Sequence, residues 1–77
     1  MMFRIDEKIA IVDVNKVKGD SQLDVEAKKI LEANKYEGYV TKIFEEDGKP
    51  RTAVTFYTPD DRLTQVFNKD EIKKVGE

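Results

Sequence analysis

The 77 residues include no histidine and no cysteine, so any acid–base chemistry would rest on carboxylates, lysines or tyrosines. Two acidic groups have spacing that could matter. Asp60 and Asp61 are adjacent, as paired catalytic carboxylates could be, and Glu45-Glu46-Asp47 forms a short acidic run. A hard cation takes roughly six to eight oxygen ligands, and no calcium-loop spacing accompanies that run. Asp60 and Asp61 follow Pro59, where aspartate is explained by a turn. Glu45-Glu46-Asp47 precedes Gly48 and reads as a solvated hairpin end. Ser21 is the only serine and suits a helix cap or its neighbour better than a nucleophile. The four glycines stand apart, at 19, 38, 48 and 76, so no glycine-rich phosphate loop exists. The expectation is a chain without catalytic residues, metal or cofactor.

Aromatic and cationic residues offer more. Tyr36, Tyr39 and Tyr57 are the three tyrosines, and Lys42, Arg51 and Arg62 lie near them in sequence. Tyr39 alternates with Val40, and Tyr57 with Phe56, so both tyrosines should leave the apolar face of their strands. Outward tyrosines beside cations can anchor a partner protein or stack on a base. Tyr36, Tyr39, Lys42, Arg51, Tyr57 and Arg62 are therefore the candidate binding residues. The competing expectation is that at least one tyrosine packs under a helix. Phe44, Phe56 and Phe67 are expected in the core.

These side chains need elements to hold them. Residues 8–14 (K-I-A-I-V-D-V) are rich in β-branched types and predict a buried first strand. Residues 21–35 predict a helix capped by Asp20 or Ser21, with Leu23, Ala27, Ile30, Leu31 and Asn34 along one face. Gly38 is expected to stop it. Further strands are expected at 39–45, 52–57 and 63–67. Asp47-Gly48 with Pro50, and Pro59-Asp60, supply the turns between them. Pro50 is expected to block pairing. A single helical turn at 68–71 leads to a last short strand at 72–75, closing on the first. In the fourth strand Leu63 and Phe67 share a parity that excludes Val66, which calls for two partly buried faces or a bulge.

Size and charge set the class. Seventy-seven residues predict one domain with a small core. Fourteen cations stand against sixteen carboxylates, for a net charge of −2, and both signs are spread along the chain. There is no clustered basic footprint for non-specific nucleic-acid binding, and too little acid for a nucleic-acid mimic. No apolar run approaches the roughly 20 residues of a membrane span. The segment Met1-Met2-Phe3-Arg4-Ile5-Asp6-Glu7 turns acidic too early for a secretory signal, so a cytoplasmic chain is expected.

Glu37-Gly38-Tyr39-Val40-Thr41-Lys42-Ile43 resembles the G-x-V-x-x-I strand of KOW and related SH3-like barrels. Ala53-Val54-Thr55-Phe56, Val66-Phe67, Asp70-Glu71-Ile72 and Val75 resemble the hairpin, single helical turn and closing strand of that architecture. Asp6-Glu7-Lys8-Ile9 stands where such domains have Gly-Asp-x-Val, without the glycine. The resemblance implies a mainly β (α+β) fold: a five-stranded SH3-like antiparallel barrel with one α-helix inserted after strand 1. The outward aromatic and aliphatic anchors with cations at the rim lead to the expectation of a non-catalytic protein-binding module, a small accessory or regulatory factor acting on a larger complex, and small chains of this layout occur as accessory proteins in bacterial and phage genomes. Its alternatives are a KOW/Tudor-like nucleic-acid-binding module and a small structural subunit of a larger enzyme.

Overall fold

The computed structural model describes residues 3–75. Met1 and Met2, part of the N-terminal segment read above, and Gly76 lie outside them. The elements run β1 (Lys8–Ile11), α1 (Val14–Lys18), α2 (Val25–Ala33), β2 (Glu37–Glu46), β3 (Lys49–Tyr57), β4 (Arg62–Asn68) and β5 (Ile72–Lys74). All strand pairs are antiparallel, in the order β4-β3-β2-β1-β5. The last strand does pair with the first, through Ile9–Lys74, Ala10–Lys73 and Ile11–Ile72. Among the described residues β4 and β5 do not pair, so the sheet is open. The fold is mainly β with two short helices, and the closed barrel expected from the spacing is not completed by a ladder.

Two local capping events displace the expected boundaries. The first strand stops at Ile11 because the Asp13 carboxylate accepts the Lys16 backbone N–H at 3.1 Å and starts α1. The β-branched run 8–14 is thus divided between a strand and an unexpected helix, and Val12 between them is exposed. The second helix starts later than expected. Asp20 accepts the Gln22 N–H at 2.8 Å in a separate turn, and Asp24 is the cap, accepting the Ala27 N–H at 2.7 Å. An Asp24→Ala substitution should therefore lower stability by about 1 kcal/mol, the usual cost of a lost N-cap, read from a urea melt. Ser21→Ala should leave the melt within about 0.5 kcal/mol, as for an ordinary surface position.

The helix also stops differently. Lys35 and Tyr36 adopt positive φ, 57° and 60°, and the Tyr36 N–H returns to the Leu31 carbonyl at 2.9 Å. Gly38 lies inside β2 instead. A Cβ there would stand 2.7 Å from Val54 Cγ1 and 2.8 Å from the Phe56 ring. Glycine at 38 serves a close strand-to-ring approach, not a reversal of the chain.

The core lies on one face of the sheet. Ile9, Ile11, Val40, Val54, Phe56, Phe67 and Ile72 meet Ile30 and Leu31 from α2. Leu23, Val17 and Tyr36 pack at its margin. Ala27, Ile30 and Leu31 are the buried side of α2, close to the expected stripe. Phe56 and Phe67 meet edge to face with centroids 6.4 Å apart. Pro50 pairs with Glu45 inside β3 and does not end the ladder. It is tolerated because pairing to β4 begins only at Arg51–Asn68, so no β4 carbonyl needs the missing N–H. The predicted turn at 68–71 forms, closed by the Glu71 N–H on the Asn68 carbonyl at 3.0 Å.

Candidate functional site

Register decides which side chains share the other face of the sheet. Residues directly opposite one another project the same way, and every second residue along a strand joins them. Lys8 faces Tyr39, Tyr39 faces Thr55, and Thr55 faces Thr64. Tyr57 faces Arg62, Lys42 and Val66 both face Ala53, and Phe44 and Asn68 both face Arg51. Tyr39, Lys42, Arg51, Tyr57 and Arg62 therefore fall on one outer face, away from the α2 side. Tyr36 does not join them. It is half-buried against the core, with Lys18 Nζ 5.8 Å from its ring centroid.

A bulge makes this face. The β2–β3 register shifts between Val40 and Lys42, leaving Thr41 as the extra residue. Val40 points into the core, and without the shift Lys42 and Phe44 would follow it. The shift inverts their parity. Phe44, expected in the core, is instead half-buried on the outer face, with Lys42 Nζ 5.3 Å from its ring centroid. The same inversion brings Lys42 to the side of Tyr39.

The face is hydroxyl-lined at its centre, with Tyr39 and Tyr57 toward one end and Phe44 toward the other. Thr41 and Thr55 share a hydrogen bond at 3.0 Å, and Thr55 and Thr64 share another at 2.9 Å. Thr55 is buried beneath its neighbours, whereas Tyr39 and Tyr57 are 44% and 49% exposed. Tyr39 and Tyr57 sit diagonally on adjacent strands, a relation of about 7–8 Å that aromatic side chains can span. Val66, 50% exposed, adds an aliphatic group whose face strand parity alone leaves open. The regular β3–β4 register resolves it: Leu63 and Phe67 go inward and Val66 outward.

Charge is unequal on this face. Register assigns it Lys8, Lys42, Lys49, Arg51, Arg62 and Lys73, against Glu37 and Glu46. Lys8 meets Glu37 at 3.4 Å, and Glu46 stands 3.7 Å from Arg51 Nε. Arg51 also donates from Nη1 to the Asn68 side-chain oxygen. Cations scattered in the sequence are thus gathered by pairing.

Beyond the end of the face, Glu71 holds the β4–β5 turn. Its carboxylate accepts the Asn68 backbone N–H at 2.7 Å and pairs with Lys16 Nζ at 3.0 Å. The Asn68 N–H, helped by Lys16, holds the Glu71 carboxyl below its usual range, against partial burial that pushes it up. The Lys16 ammonium is raised by its hydrogen bond to, and the charge of, Glu71. Among the described residues no group of three or more acidic side chains could hold a metal ion. Nor is any helix among them long and apolar enough to cross a membrane. No protein-family model, curated protein or solved structure matches the chain.

Proposed function

We propose that the chain is a non-catalytic protein-binding module that works through the outer face of its sheet, as a small accessory factor of a larger assembly. The observation that carries this reading is the pairing of Tyr39 and Tyr57, both about half exposed, on one face that also presents Val66 and the cations Lys42, Arg51 and Arg62. Tyrosine and arginine are the residue types that supply most interface energy, with polar groups at the rim. The strand order and the single turn between β4 and β5 also support an SH3-like layout. In that reading the curled sheet approximates a barrel, and the inserted helices cover its inner side.

Tyr39→Ala and Tyr57→Ala test the face. Each should weaken partner capture from a lysate of the native source by roughly thirty-fold in Kd, an interface anchor being worth about 2 kcal/mol. Both variants should melt with the parent. Equal capture by the two folded variants would remove the assignment.

A second reading, nucleic-acid binding, is favoured by the six cations and two carboxylates that share the face with the tyrosines. It predicts single-stranded oligonucleotide binding that falls steeply with salt. Titration at low salt separates it from the protein-binding reading.

A further inference from the structure

We infer that the concavity between the β2–β3 hairpin end and the β4–β5 turn is a binding site for a small phosphate-bearing ligand. It is lined by Lys49, Pro50, Arg51, Asn68, Lys69 and Asp70 and is an open, solvent-facing depression of about 460 Å³. That volume lies within the roughly 300–1,000 Å³ of small-ligand sites. Three of its lining residues are cations and one is a carboxylate, and the Glu46 carboxylate stands 3.7 Å from Arg51 Nε, which leaves a cationic surplus of one in a chain whose net charge is −2. The site therefore reverses the sign of the protein as a whole.

One of its cations, Arg51, is held in place before any ligand arrives. Asn68 anchors Arg51 Nη1, and the Glu46 carboxylate stands 3.7 Å from Nε, which is buried and makes no hydrogen bond. Among the described residues no other acceptor meets this guanidinium, so it keeps donors for a ligand. A fixed guanidinium fork matches an oxyanion and loses less entropy per bond than a free one. The turn adds backbone donors. The Glu71 N–H closes it on the Asn68 carbonyl, while the N–H groups of Lys69 and Asp70 find no acceptor among the described residues. Successive free N–H groups in a turn form an anion-binding concavity. No aromatic and no long aliphatic side chain lines the site, so a nucleobase or apolar ligand gains little there. A single carboxylate would leave most of these donors unused, whereas a phosphate has oxygens for several. Asp70 opposes the ligand and limits affinity.

The site shares Arg51 with the outer face but needs neither Tyr39 nor Tyr57, so the two assignments fail separately. The test is a ¹⁵N–¹H NMR titration with inorganic phosphate and with pyrophosphate, at ionic strength held constant with chloride. Saturating shifts should be confined to the amides of Lys49, Arg51 and Asn68 to Asp70, with pyrophosphate the tighter ligand. The exposed double variant Lys49→Gln/Lys69→Gln should bind about tenfold more weakly, the effect of losing two charge-assisted contacts in a wet site. Asp70→Asn should bind more tightly. Non-saturating shifts, comparable shifts at Lys8 and Lys73, or unchanged affinity in the double variant would overturn the site.

Discussion

Replacing Phe56 with alanine should lower stability by about 3–5 kcal/mol, the range for truncating a buried aromatic ring. Phe56 is fully buried, the largest such side chain described, and meets Phe67 edge to face. Domains hold roughly 0.05–0.15 kcal/mol per residue, which for 77 residues is about 4–12 kcal/mol. Losing the ring therefore removes a large part of the total. Urea unfolding followed by far-UV circular dichroism should show the midpoint falling sharply at nearly constant slope. Phe44→Ala is the paired control. Its ring is half-buried on the outer face, so its loss should cost well under half as much. Equal losses would mean that Phe44 lies in the core and that no bulge at Thr41 turns it outward.

The second large effect is expected from a single added methyl group. Gly38→Ala should destabilise by about 1–3 kcal/mol, the cost of forcing atoms into a filled core. The new Cβ would meet Val54 Cγ1 at 2.7 Å and the Phe56 ring at 2.8 Å, and both side chains are fully buried. Neither can swing into solvent to make room. Alanine normally gains about 0.5–1 kcal/mol over glycine inside a strand, because glycine loses more backbone freedom. Overpacking exceeds that gain here. Gly19→Ala should be near neutral, since its Cβ would meet only the Asn15 carbonyl oxygen, at 3.5 Å. A Gly38→Ala protein as stable as the parent in a thermal melt would show that the packing around Gly38 has room for a methyl group.

Much of the secondary structure was legible because its signals are local. Asp47-Gly48 adopts the positive φ values, 53° and 77°, that a tight hairpin demands. The alternation of Val54 and Phe56 with Tyr57 placed the tyrosine outside, and the structure agrees. The helix boundaries were harder. Asp13, Asp20 and Asp24 are all competent caps, and only the packing of Leu31 and Ile30 on the sheet selects Asp24 for α2. An aspartate three residues before Lys16 was the available sign of α1, hidden by the β-branched run around it.

The outer face was half legible. The sequence by itself determined that Tyr39 and Tyr57 oppose their apolar neighbours, that four β-rich segments separated by turns follow one helix and a first strand, and that neither histidine nor cysteine chemistry is available. Strand alternation, turn preferences and residue inventory are properties of a few adjacent residues, so they survive without a partner strand. Only the tertiary structure decided that Lys42 and Phe44 lie outward, that Arg51 meets Asn68, and that Lys49 and Lys69 border one concavity. Each depends on register between strands distant in sequence. One extra residue at Thr41 reverses every side chain after it, and nothing local to Thr41 announces that shift.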